Sequence, residues 1–296
     1  MKKILLTISA CIIFVMQNVA AQENNDRLFP YPEPPKDMTN LYERCNFLVY
    51  KFWDQCNIKA ALSKKNKLNE AFGHWLGFMP YASADTVYLA IDNFHKSFKK
   101  SGEQSLAIAK MAEAWLYSDS AQFRSDELYS RFVDAAVVNK KIPAEERRYF
   151  EAQKKILDNS SVGRKVPDIE LTKADGTKTS FYADSAEFTL VFVYPPDCMD
   201  CSFARVRLSA DMVINQLNDG GIVRVVSLFA GEPDASFLTA VTSFPENWLN
   251  VASPQTGEYF DMRVKPALYY LDKDHRIIAK DLSVDNIISA FHKLIK

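Results

Sequence analysis

The residues best equipped for chemistry are two cysteines separated by two positions, Cys198 and Cys201, in the stretch YPPDCMDC from Tyr194 to Cys201. A pair at this spacing can be a redox disulfide, half of a metal site or a structural staple. Zinc would need a second pair or histidines at ligand spacing, and neither stands near this stretch, so no metal is expected. The flanks favour sulfur chemistry. Phe188–Tyr194 is a continuous apolar, β-branched run of the kind that forms a strand buried on both faces. The segment after the pair reads as a helix. Cys198 therefore falls where a strand hands over to a helix, and Cys201 falls in the first helical turn. Free N–H groups and the dipole at a helix start stabilise a thiolate at Cys198. Cys201, one turn on, is set to attack a mixed disulfide and release the partner.

The elements that position this pair begin with the compartment. The chain opens MKKILLTISACIIFVMQNVAAQENN: two lysines, an apolar run, and small residues before a polar stretch. That is the layout of a secretory signal over residues 1–21, cut after Ala21, and it points to export, into the periplasm. The run is too short to span a bilayer, which takes ~20 apolar residues. Ile8-Ser9-Ala10-Cys11 also suits a lipid-attachment site, but Ile12–Met16 stays apolar where a lipidated chain turns polar; anchoring is the less favoured alternative. Removal of the leader leaves Cys45, Cys56, Cys198 and Cys201 in a compartment where disulfides persist.

A net charge of −1 gives no basic face for phosphates, which argues against nucleic acid. Length suggests two domains. Residues 22–37 form a proline-rich linker, with FPYPEPPK from Phe29 to Lys36 expected to be an extended lead-in, not packed structure.

Residues 38–157 carry apolar side chains at spacings of three and four, as in Leu41, Cys45, Leu48 and Phe52 or Val87, Ile91, Phe94 and Phe98. They predict a bundle of five or six helices with breaks near Pro80, Gly102, Asp119 and Lys141, and caps at Ser83 or Asp85 and at Ser125. His74 and His95 lie among apolar neighbours and read as structural. Trp53, Trp75 and Trp115 read as core. On one helix Cys45 and Cys56 would stand roughly 16 Å apart, beyond the ~7 Å a disulfide allows. Two buried single thiols are expected.

The polar run Asp158–Gly163 reads as a linker, and residues 162–296 as an α/β domain. Val166–Leu171 and Thr177–Phe181 flank an Asp175-Gly176 turn. Phe188–Tyr194, a helix over Ser202–Leu217 and a strand over Ile222–Phe229 make a crossover unit. Ala267–Leu271 and Arg276–Ala279 form a hairpin, and Asp285–Ile295 a last helix. His275, on that hairpin turn, reads as a solvated residue.

These residues carry a resemblance. PPDCMDC at a helix start, with Val264-Lys265-Pro266-Ala267 before a Leu-Tyr-Tyr-Leu-Asp hairpin, resembles the exported TlpA/ResA-like thiol–disulfide oxidoreductases. The mature chain is similar to two-domain Bacteroidetes proteins with a helical N-terminal domain of unknown function, through Tyr42, Tyr50-Lys51-Phe52-Trp53-Asp54 and Trp115–Ser120. The resemblance implies an α/β thioredoxin fold at the C-terminus preceded by an all-α bundle. It implies Cys198 as nucleophile, Cys201 as resolving thiol and a cis Pro266 opposite them. Pro266, Lys265, Pro196 and Asp197 are the implied substrate-contacting positions. No cofactor is implied beyond the disulfide itself; the implied partners are a protein thiol or disulfide and a membrane or periplasmic electron donor.

Two departures matter. Asp197 stands where many relatives have tryptophan, and Phe192 where the buried acid of thioredoxins would be. Asp197 and Asp200 oppose thiolate formation: a unit charge ~6 Å away is worth about 3 kcal/mol at an effective dielectric of 20 and under about 1 kcal/mol in water-like surroundings. The helix end offers about 0.3–2 kcal/mol in the opposite direction, so the two effects are of similar size and the sign of the net shift stays open. Lys265 pushes the other way if it leans over Cys198. A moderately reducing centre is the expectation. The alternatives are a non-catalytic binding protein that keeps a structural disulfide, and, less favoured, a peroxidase in which Arg263 serves the nucleophile.

Overall fold

The computed structural model describes residues 27–184 and 186–295, so the expected leader at residues 1–21 lies outside the described residues. The chain forms two compact units that divide between Arg147 and Arg148.

In the first unit the helices are α1 (Leu41–Lys51), the single turn α2 (Ile58–Ala61), α3 (Lys65–Phe78), α4 (Ala84–Phe98), α5 (Gly102–Leu116) and α6 (Asp126–Val138), followed by α7 (Ala144–Ser160), which runs on into the second unit. Side-chain caps set several starts: Ser83, Ser101 and Ser125 accept from the amides of Thr86, Gln104 and Leu128. An aromatic cluster fills the centre, with the Trp75 ring 5.6 Å from Trp53 and 5.1 Å from Phe94. The Trp75 indole N–H donates to Val49 O at 2.9 Å, and that of Trp115 to Asn69 Oδ1 at 2.8 Å. His95 lies edge-on to Phe98 and Phe132, and burial pushes its pKa down to about 4. His74 meets the Tyr31 hydroxyl at 3.0 Å.

Two expectations change here. The proline-rich lead-in has no regular structure but is packed: Phe29 is only 7% exposed and its ring touches those of Tyr31, Phe52 and Trp53. Three aromatic contacts outweigh the polar, proline-rich composition around it. Cys45 and Cys56 are both free thiols, but α1 ends at Lys51, so no single helix carries them. Cys45 is buried while Cys56 is half-buried, and burial pushes its pKa up to about 12.

The second unit is built on a seven-stranded sheet. Its strands are β1 (Glu170–Lys173), β2 (Lys178–Ser180), β3 (Phe188–Tyr194), β4 (Val223–Phe229), β5 (Leu249–Ala252), β6 (Ala267–Asp272) and β7 (Ile277–Lys280), in the order β2-β1-β5-β4-β3-β6-β7. β3, β4 and β5 are parallel, and the outer pairs are antiparallel. Along β3 alternate residues serve opposite faces: Leu190, Phe192 and Tyr194 join one core, Val191 and Val193 the other. The first face is covered by helices α8 (Met199–Ser209), α9 (Met212–Asp219), α10 (Ala235–Val241) and, after the single turn α11 (Thr256–Tyr259), α12 (Val284–His292). Val166, Ile169, Phe181 and Phe260 cover the second.

The expected linker Asp158–Gly163 is helical as far as Ser160, because that residue is fully buried and Asn159 donates to Glu258 O at 2.8 Å. The single helix expected over Ser202–Leu217 is two. Asp211 interrupts it by accepting from the amides of Val213 and Ile214, capping α9, and also meets His292 Nε2 at 2.9 Å. His275 is no solvated turn residue: its ring stacks on Tyr182 at 4.0 Å, and burial lowers its pKa. Among the described residues no helix is long and apolar enough to cross a membrane.

Candidate redox site

β3 is buried over nearly its whole length and delivers Tyr194 to the surface end of the sheet. Pro195 and Pro196 cannot continue the ladder. Asp197 then takes a left-handed conformation, φ +55°, which short polar side chains tolerate better than most. The reversal leaves Cys198 extended, at φ −94° and ψ 103°, as the N-cap of α8. Its sulfur accepts from the amide of Cys201 at 3.1 Å, the position a serine oxygen takes in an ordinary cap.

Cys198 and Cys201 are joined by a disulfide, with Cα atoms 5.2 Å apart. The two sulfurs differ in access. Cys198 is half-buried, whereas Cys201 is only 4% exposed and sits in the core with Ala204 and Leu208. An open groove of about 730 Å³ starts at Pro196, Asp197 and Cys198 and runs to α10 and the segment after it. One wall is an aromatic stack, Tyr194 on Phe244 at 4.7 Å, with the Arg205 guanidinium 5.4 Å from the Phe244 centroid. Arg205 also donates to Ser243 O, which ties α8 to that wall. Burial pushes the Tyr194 pKa upward.

The peptide bond between Lys265 and Pro266 is cis. Ala267 pairs with Val193 across β6 and β3, so Pro266 lies at the end of the sheet from which Cys198 emerges. The segment leading to it is braced: Arg263 is paired with Asp261 at 3.1 Å and Asp281 at 3.2 Å, and the Tyr269 hydroxyl donates to Asp261 O at 3.1 Å. That pairing commits the Arg263 guanidinium to two carboxylates, which removes it from the role of a cysteine-activating arginine.

Pro196, Asp197, Cys198 and Cys201 share the groove, while Asp200, Lys265 and Pro266 do not line it. Asp200 and Lys265 are exposed. Phe192 is fully buried among the rings of Tyr194, Phe244 and Trp248, so aromatic carbon fills the space where the resemblance implies an acid. Sequence reasoning missed Arg205 and Phe244. Arg205 was open to discovery, standing seven positions after Cys198 on the same helix; Phe244 belongs to a stretch that gave no signal.

The model of the family described as Domain of unknown function (DUF5106) matches residues 13–160, half of the chain. The chain belongs to the DUF5106 family. For the remainder, this DUF5106 protein is similar to solved structures. A thioredoxin-like protein from Bacteroides caccae matches with a TM-score of 0.79 at 22% identity, over 90% of this chain and 99% of that one. The second unit thus has the thioredoxin fold, preceded by helices as in that protein. A thiol:disulfide interchange protein from Bacteroides sp. matches over 46% of this chain and 91% of its own, at 17% identity and a TM-score of 0.40. The thioredoxin domain of a thiol-disulfide oxidoreductase from Bacteroides vulgatus matches over 46% and 99%, at 18% and 0.40. No curated protein matches the DUF5106 chain.

Proposed function

We propose that this protein is an exported thiol–disulfide oxidoreductase that acts on protein thiols and disulfides in the periplasm, with no cofactor beyond its own disulfide. The observation that carries the reading is the unequal access of the two cysteines, which border one open groove: Cys198 is half-buried there, whereas Cys201 is only 4% exposed. In the reduced protein the Cys198 thiolate attacks one sulfur of a substrate disulfide. The substrate's S–S bond breaks, a mixed disulfide forms, and one substrate thiolate leaves. Cys201, deprotonated, then attacks Cys198, expels the second substrate thiolate and closes the protein disulfide. Two electrons pass to the substrate, and a dithiol electron donor returns them in the reverse sequence. Pro196, Asp197, Lys265 and Pro266 are the substrate-contacting positions in this reading, and Asp200 and Lys265 adjust the thiolate.

The direction is reducing, supported by the exposed carboxylates on either side of Cys198, which disfavour its thiolate and so the reduced form of a strong oxidant. The test is capture from cells. Cys201→Ser, exported with its own leader, should accumulate disulfide-linked adducts that dithiothreitol releases, and Cys198→Ser should not. Equal capture by both variants, or none by either, sinks the assignment.

A further inference from the structure

Helix α8 is apolar on two faces. Cys201, Ala204 and Leu208 form the inner one and are buried in the core. Met199, Phe203 and Val206 form the outer one and are 74%, 67% and 53% exposed. The outer residues are spaced four and three apart, so they make one continuous strip over ~10 Å of helix. A helix on the surface of a folded unit keeps its outward side polar, and one that is apolar all round belongs inside something. Scattered apolar side chains need no explanation, but an ordered strip of three large ones marks an interaction surface.

Its occupant follows from its position. Met199 is the residue after Cys198 and lines the same groove. A molecule that brings a sulfur to Cys198 lies over the start of α8, and a polypeptide does so at a size that covers Phe203 and Val206 as well. Charge narrows the class. Asp197 and Asp200 are exposed on either side of Cys198. Of the nearby cations, Arg207 is paired with Asp285, while Arg205 keeps its charge but is turned onto Ser243 O and the Phe244 ring. The cysteine end of the strip therefore presents two carboxylates, and its far end is apolar.

We infer that the Met199–Phe203–Val206 strip is the docking surface for the redox partner, a protein segment whose reactive cysteine adjoins a basic residue and is followed by apolar side chains. The inference rests on the exchange chemistry proposed for Cys198 and adds the class of substrate it serves.

The test uses the full mature chain, reduced, with three probes that release coloured thionitrobenzoate. One is the small aromatic disulfide dithiobis(nitrobenzoate). The others are decapeptides with a single cysteine linked to thionitrobenzoate, one carrying lysine beside the cysteine and leucine and phenylalanine beyond, the other carrying glutamate and serines. In each case the protein dithiol becomes a disulfide and one probe disulfide becomes two thiols. The apolar, basic peptide should react about tenfold faster than the acidic, polar one, a difference of about 1.4 kcal/mol. In Phe203→Ser/Val206→Ser the ratio of its rate to that of the small disulfide should fall by about the same factor. Equal peptide rates, or a ratio unchanged by the double substitution, overturn the docking surface while the exchange chemistry stands. No colour from the small disulfide overturns both. Light scattering that shows a dimer, converted to monomer by the double substitution, assigns the strip to a second copy and overturns the inference.

Discussion

The amide of Cys201 donates to the sulfur of Cys198 at 3.1 Å, so one residue both carries the more accessible sulfur of the pair and caps the helix that follows. The two roles separate by substitution. Cys198→Ser and Cys198→Ala both lose the disulfide, but serine keeps an acceptor at the N-cap. Cys198→Ala should be less stable than Cys198→Ser by about 1 kcal/mol, read from urea midpoints. Equal midpoints would show that the sulfur's contact contributes nothing to the helix.

The carboxylates of Asp197 and Asp200 lie on either side of Cys198 and are exposed. Exposed charges interact weakly, at about 0.2–1 kcal/mol each. Asp197→Asn/Asp200→Asn should therefore make the centre more oxidising by on the order of 20 mV, using ~30 mV per 1.4 kcal/mol. Equilibration with glutathione at low salt measures this. A shift toward more reducing potentials would refute the electrostatic account.

His95 lies edge-on to Phe98 and Phe132, and burial holds its pKa near 4 despite the opposing pull of Asp92. The unfolded chain, with a histidine pKa of about 6.5, binds a proton that the folded chain refuses between those values. Stability from this residue is full above pH 6.5 and declines as pH falls toward 4, by on the order of 3 kcal/mol. His95→Phe keeps a ring in place and should remove that share of the loss. Denaturation at pH 7.5 and pH 5 compares the two proteins; an identical pH dependence would assign the loss to other groups.

Gly102 opens α5 against the backbone of the segment before α7. A Cβ there would lie 2.0 Å from Lys141 O and 2.4 Å from Lys141 C. Neither is a flexible side-chain end, so Gly102→Ala should cost about 3 kcal/mol or more. Gly163→Ala, at φ +84° with nothing within 4 Å, meets only conformational strain and should cost about 1 kcal/mol. Thermal unfolding ranks them, and the reverse order would contradict the contact argument.

The central elements were legible because their signals are local. The run Phe188–Tyr194, the serine caps and the Asp175-Gly176 turn each carry their structure in their own residues. β5 and α10 were not seen. β5 is four residues long with Asn250 inside it, and that polar side chain is tolerated only because Ser227 donates to it at 2.5 Å and it donates to Pro245 O at 2.9 Å. Pro245 is five residues away, but Ser227 belongs to another strand, 23 residues earlier. The same holds for the groove, whose second wall comes from α10 and Phe244, and for Phe29, whose burial depends on the Phe52 and Trp53 rings just after α1.

Leu249–Ala252 also has a bearing on how the sheet is assembled. Thr172 and Lys173 of β1 find their inner neighbours in Ala252 and Val251, so the first hairpin of the sheet waits for a strand made much later. Through that interval β1 offers an open hydrogen-bonding edge, the feature that invites wrong pairing between nascent chains. A holding chaperone that keeps this half of the protein apart until residue 252 has emerged would guard the step most exposed to misassembly.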